Sequence, residues 1–172
     1  MSNSQKNKGK NFERKVATIL TQTFKATFTR VPNSGAFVGK SNAHRLHSLD
    51  STQAKLHRGD ILCPADFNMV IECKCYNKLT GGFHSIIAND SNQLDKWLNQ
   101  VSTDANQSLP YALIFQISHT GCVFVCLSNH FKEVQQYLPA FTQYCYNNEI
   151  HTIFEINFLN QVKEIIKKVT LC

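Results

Sequence analysis

The sequence predicts one mixed α/β domain, a β-sheet flanked by helices, and three observations carry that prediction. Apolar residues recur at helical spacing in some segments and in short strand-like runs in others, in the order α-β-β-β-α-β-β-α. The 172 residues suffice for one proper core and are too few for two. No repeat or low-complexity linker divides the chain.

The elements follow in order. Residues 1–10, MSNSQKNKGK, are polar and lysine-rich and predict a disordered basic tail ahead of a domain spanning 11–172. Phe12, Val16, Ile19, Leu20 and Phe24 then form one apolar helical stripe, with Glu13 and Arg14 beside it. Residues 26–31 read as a short strand that ends in the turn Pro32-Asn33-Ser34-Gly35. The stretch 36–58 is polar and lacks periodicity, so it reads as a loop or a short helical excursion; it holds Lys40, Arg45, Lys55 and Arg58. Gly59-Asp60-Ile61-Leu62 opens a strand, and a turn around Pro64-Ala65-Asp66 leads into another at 69–75, which together predict a hairpin. Beyond Thr80-Gly81-Gly82, a second helical stripe is set by Leu94, Trp97, Leu98 and Val101. Residues 111–118 and 122–127 are strong strand segments joined at Gly121. In the C-terminal extension, 128–172, residues 131–138 read as helix, 152–156 as strand and 159–169 as a last helix.

Charge is unevenly placed. Residues 1–60 hold eleven Lys/Arg against three Asp/Glu, a balance of +8, whereas 61–172 hold seven against nine, a balance of −2. A basic first third favours a polyanionic partner, and nucleic acid is favoured over membrane because no basic amphipathic helix carries bulky apolar residues. No apolar run approaches the length of a membrane span, and the polar N-terminus has no signal-peptide block. Seven cysteines, an odd number, suit free thiols in a reducing compartment better than a disulfide framework. The expected location is intracellular, in the cytoplasm, or the host cytoplasm if the gene is phage-borne.

The chemistry centres on Ile71-Glu72-Cys73-Lys74-Cys75. Side chains alternate along a strand, so Glu72 and Lys74 share one face while Ile71, Cys73 and Cys75 point to the core. Asp60, on the paired strand about 5 Å away, is able to approach Glu72. Two carboxylates in a low dielectric repel unless a cation lies between them, and hard oxygen ligands with room for water suit Mg²⁺, with Mn²⁺ as a substitute. The main-chain carbonyl of Cys73 could complete the shell. Lys74 could orient or deprotonate the attacking water, or stabilise charge on a phosphoryl transition state. Each residue alone has a plainer reading: Glu13 as a surface charge, Gly59-Asp60 and Ser34-Gly35 as turns, Glu72 and Lys74 as a solvated strand face. Their capacity to converge behind a basic segment favours a site. A zinc site from Cys63, Cys73 and Cys75 with His84 or with His44, His47 or His57 of the 36–58 stretch is disfavoured, because Cys73 and Cys75 should face the core and no C-x₂-C pair is present.

Asp60 with Glu72-Cys73-Lys74 resembles the metal-binding core of the PD-(D/E)XK nuclease superfamily. Asn11-Phe12-Glu13-Arg14, residues 29–35, Gly59-Asp60-Ile61 and Ile71-Glu72-Cys73-Lys74 follow the order of motifs in archaeal and phage Holliday junction resolvases, over roughly residues 9–127. The resemblance implies a restriction-endonuclease-like fold and a homodimer that cuts four-way or other branched DNA with a metal-activated water. It implies metal ligation by Asp60 and Glu72, Lys74 as the catalytic lysine, and Glu13 contributing directly or through water. It also implies that Ser34 shapes the site and that Arg14 and Arg30 contact phosphates. The 25 residues between Ser34 and Asp60 exceed the short connection usual in that family, and read as an added DNA-binding loop through Lys40, Arg45, Lys55 and Arg58. Gln93 and Trp97 are similar to the Q-x-x-x-Y helix of RecB-like nucleases, with Trp for Tyr, which makes Gln93 a candidate accessory residue. The alternatives are a RecB-like or restriction-type nuclease of the same fold, or a catalytically silent DNA-binding module.

Overall fold

The computed structural model describes residues 3–32, 58–106, 109–118 and 121–171, with side chains from residue 7 onward. Helix α1 (Asn3–Phe24) is followed by the two short strands β1 (Thr29–Arg30) and β2 (Ile61–Leu62), then by β3 (Val70–Tyr76). Helices α2 (Gly82–Ile87) and α3 (Asn92–Asp104) lead to β4 (Tyr111–Ile117) and β5 (Cys122–Leu127). A hairpin of β6 (Thr142–Tyr146) and β7 (Glu149–Glu155) precedes α4 (Leu159–Thr170).

Five strands form one sheet in the order β3-β4-β5-β7-β6. The β3–β4 pair is parallel and the other pairs are antiparallel, so the sheet is mixed. Both faces are covered. Ile71, Cys73, Ile114, Phe124 and Phe154 pack under α1 and α4 through Phe12, Val16, Leu20, Val162 and Ile166. Val70, Leu113, Phe115 and Val125 pack under α3 through Leu94, Trp97, Leu98 and Val101. Burial on both faces explains why β4 and β5 read as unbroken apolar runs rather than alternating ones. The result is a restriction-endonuclease-like α/β/α layering in one domain.

The structure departs from the sequence reading in several places, one of them the short helix α2, where only a break at Thr80-Gly81-Gly82 was expected. The stretch expected to be a disordered tail is helical from Asn3. Its polar residues give no apolar period to read, and the helix is tied down at Lys8, whose ammonium bonds to Ser118 at 2.8 Å and to Asn77. The strand expected at 26–31 shortens to two residues, since Phe28 bonds back to Thr21 of α1 and packs against Phe24 and Phe67. β2 pairs with β1 rather than forming a hairpin with β3 (Arg30 lies opposite Ile61), and it meets β3 through the bond from the Asp60 amide to the Ile71 carbonyl. The helix expected at 131–138 is a single 3₁₀ turn, Val134–Tyr137, cut short ahead of Pro139. Strand β6 was not anticipated; Asn147 and Asn148, both at positive φ (50° and 63°), form its two-residue turn into β7.

The C-terminal 45 residues are therefore part of the sheet itself, with β7 inserted between β5 and β6. Edge strand β6 is capped at Cys145. The Asn89 side chain accepts from the Cys145 amide at 2.5 Å and donates to its carbonyl at 3.2 Å, which occupies one residue's share of the groups another strand would need.

Candidate active site at the free edge of β3

Strand β3 is the other edge of the sheet, and the candidate residues gather there. Gly59 has φ +69°, and a Cβ on it would lie 2.5 Å from the Ile71 carbonyl oxygen, so only glycine lets the chain come this close to β3. Asp60 is fixed immediately after it. Its amide donates to Ile71 (2.8 Å), its carbonyl accepts from Val31 (2.9 Å), and its Oδ2 accepts from the Cys73 amide (2.9 Å). Because the N–H and C=O of one strand residue face the same side, the Cys73 carbonyl shares this open edge with Asp60.

Glu72 and Lys74 project from β3 toward α3. Glu72 is 4% exposed, which removes the reading of a solvated strand face. Its Oε1 accepts from Lys74 Nζ at 2.5 Å and from Gln100 Nε2 at 2.7 Å, and Lys74 Nζ also donates to Gln100 Oε1 at 2.8 Å. Glu13 reaches the same edge from α1 and is ion-paired with Arg30 of β1, with side chains 15% and 18% exposed.

The electrostatics are those of crowded acids. Burial, reinforced by the charge of Asp60 and opposed by Lys74, pushes the Glu72 carboxyl up to about 8. Burial and Asp60 also raise Glu13, against the pull of Arg30 and Lys10. Burial raises Asp104 as well, with Lys74 and Arg58 drawing it back. For Lys74, burial acts to lower the value, but Glu72 and Asp60 overcome it and hold the group raised, as an ammonium. Three acids that each resist ionising because of burial and a neighbouring carboxylate form a place where an added cation is stabilising. Among the described residues, no group of three His, Cys, Asp or Glu side chains makes a closed metal cage. Two carboxylates and a peptide carbonyl on an open edge instead suit a cation that keeps several waters, as Mg²⁺ does.

The remaining expectations divide. Arg14 is exposed on α1 and bonds to Asn11 at 2.9 Å. Arg58 lines an open cleft of about 380 Å³ with Leu62, Met69 and Leu109 and lies close enough to Asp104 to lower its carboxyl. Ser34, Lys40, Arg45 and Lys55 lie outside the described residues. Gln93 is not at the site: its Oε1 accepts from the Thr80 amide at 2.8 Å, at the far end of α3. Trp97 is buried against Tyr76 and Phe115 in the core. Gln100 and Asp104, which the sequence reading missed, occupy the place expected for Gln93.

Gln100→Ala is expected to slow cleavage about 10- to 100-fold, the usual loss when a residue that orients a metal-site ligand is removed. Gln93→Ala should act on stability instead, through Thr80. Single-turnover rates of the two variants beside their urea midpoints check both statements.

A mixed sheet between helices, with an aspartate docked on the edge of the strand that carries Glu-x-Lys, is the arrangement of the PD-(D/E)XK nucleases. The family model described as "Phage putative PDDEXK endonuclease" matches residues 4–170, and the chain belongs to that family. The match runs well past residue 127 and includes β6, β7 and α4. No curated protein and no solved structure matches the chain. The family is one of nucleases, which act on DNA and generally use divalent metals. No helix among the described residues is long and apolar enough to cross a membrane.

Proposed function

We propose that the protein is a Mg²⁺-dependent DNA endonuclease whose site is built by Asp60, Glu72 and Lys74, and that its preferred substrate is branched DNA, the four-way junction first. The observation that carries this reading is the bond from the Cys73 amide to Asp60 Oδ2, which holds one carboxylate against the strand that bears Glu72 and Lys74. Asp60, Glu72 and the Cys73 carbonyl would hold the cation, and Glu13, which feels the charge of Asp60, would take part through water. A divalent cation there would supply an acidic bound water and offset charge on the phosphoryl oxygens.

The chain's own residues do the rest. Lys74 Nζ donates to both Glu72 Oε1 and Gln100 Oε1, so of its two expected roles the stabilisation of phosphoryl charge as a donor is the better supported. Gln100 links Lys74 to Glu72 and keeps both side chains in one geometry. Arg30, with one of its five N–H groups committed to Glu13, has donors left for a phosphate.

Junction specificity rests on the order of the four sequence motifs. A homodimer follows from the two-fold symmetry of a junction cut at paired positions. Asn89 occupies the outward groups of Cys145 on β6 and the site occupies the β3 edge, which favours a helix or loop surface over joined sheets as the meeting place of two copies. The test is cleavage of a four-way junction, matched linear duplex and single strand, each with Mg²⁺. Paired symmetrical nicks confined to the junction are expected. Cutting of linear DNA or its ends moves the function to a restriction-type or RecB-like nuclease. Binding without cutting moves it to a silent DNA-binding module.

A further inference from the structure

A second cluster of donors lies at the other end of β3. β3 and β4 run parallel and finish together, with the Ser118 amide bonded to the Tyr76 carbonyl at 2.9 Å. Asn77 and Ser118 are the first residues beyond the two strands, and the carboxyl ends of parallel strands are where ligands commonly bind in α/β sheets. Helix α1 brings two lysines to this end. Lys8 Nζ bonds to Ser118 Oγ at 2.8 Å and to Asn77 Oδ1, and Ser118 Oγ donates to Asn77 Oδ1 at 3.2 Å. Lys15, two turns further along α1, bonds to Gln116 of β4 at 3.4 Å.

These lysines are not neutralised. The ion pairs among the described residues are Arg30 with Glu13, Lys74 with Glu72, and Lys167 with Glu164, so neither Lys8 nor Lys15 has a carboxylate partner. Two ammonium groups and the amide N–H groups of Asn77, with no acid among them, offer donors to an anion with several oxygens, while the Ser118 hydroxyl, its one hydrogen given to Asn77, holds the carboxamide in place. A phosphodiester fits, because backbone phosphates are bound by such side chains and give position without sequence.

We propose that Lys8, Lys15, Asn77 and Ser118 form a phosphodiester-binding cradle that holds the DNA backbone to one side of the cut. The proposal rests on the nuclease reading and adds a place where the substrate is gripped. Asn77 is five residues beyond Glu72, so the Lys8 end of the cradle lies about 17 Å along β3 from the metal ligands. At ~3.4 Å per nucleotide this is about five nucleotides of duplex from the scissile phosphate. It also gives the N-terminal helical turns a function, since Lys8 is placed only because α1 continues past the apolar stripe.

The experiment is fluorescence anisotropy of labelled duplex and four-way junction, without Mg²⁺, across a range of salt. Three proteins are compared: wild type, the double variant Lys8→Ala/Lys15→Ala, and Asn77→Asp, which keeps the side-chain size and sets a carboxylate beside Lys8. The salt slope of log K is expected to shrink by about 1.8 in the double variant, about 0.9 for each lost phosphate contact. Asn77→Asp should weaken binding in the same direction, and cleavage at subsaturating DNA should fall in proportion in both. A wild-type slope in the double variant, with wild-type protein still cutting DNA in Mg²⁺, overturns the cradle and leaves the nuclease reading standing. Wild-type protein that neither binds nor cuts DNA overturns both.

Discussion

Replacing Glu72 by glutamine is expected to reduce Mg²⁺-dependent cleavage about a thousandfold, which is about 4 kcal/mol of transition-state stabilisation, while DNA binding stays at wild-type strength or tightens. The substitution keeps the size of the side chain, so the packing of a residue only 4% exposed is preserved. What is lost is the charge. Asp60 is left as the one carboxylate fixed on the edge of β3 by the Cys73 amide, and a single exposed-edge carboxylate is a weak ligand for a strongly hydrated cation. Binding is spared because the acids of this site face a polyanion, and removing one of them lowers repulsion of the phosphate. Were Glu72 a structural partner for Lys74 and nothing more, the same substitution would lower stability and leave the cutting rate per folded molecule unchanged. Single-turnover rates and anisotropy on one preparation separate these outcomes.

Gly59→Ala is expected to be as damaging through the backbone. At φ +69° an L-residue costs about 1–2 kcal/mol. The added Cβ would also meet the Ile71 carbonyl oxygen at 2.5 Å, so the loop must retreat from β3. Retreat stretches the Asp60 amide bond to Ile71 and the Cys73 amide bond to Asp60, each worth about 1 kcal/mol. A loss of about 2–4 kcal/mol by urea unfolding is expected, together with loss of cleavage even at temperatures where the variant remains folded. Gly59→Asn tests the cause. Asparagine tolerates the left-handed backbone but still carries a Cβ, so it should fail as well, because the obstruction is the carbonyl and not the dihedral alone.

The chemistry of β3 was legible because it is local. Alternation along a strand places Glu72 and Lys74 together whatever the rest of the fold does, and the structure finds them bonded at 2.5 Å. Asp60 was reached through its spacing and motif, although the expected hairpin does not exist; a glycine turn and one strand-edge amide bring it to the same place. The helix α3 shows what spacing cannot give. Gln93, Trp97, Gln100 and Asp104 lie on one line of the helix, so their shared face was readable. Their height was not: Gln93 and Gln100 are about 10 Å apart along the axis, and where α3 crosses β3 decides which glutamine meets Glu72. Long-range contacts likewise hide the first turns of α1, whose only visible signal was lysine content. Strand β6 did leave a signal, the Asn147-Asn148 pair, which marks a tight hairpin turn between short alternating runs.

The most direct test of the site is the cutting of one labelled four-way junction by wild type and Asp60→Asn, side by side, in rising Mg²⁺ and in EDTA. The account predicts cutting by wild type that appears only with Mg²⁺ and no cutting by Asp60→Asn at any Mg²⁺ concentration. Cutting by wild type in EDTA, or cutting by Asp60→Asn at the wild-type rate, would contradict it.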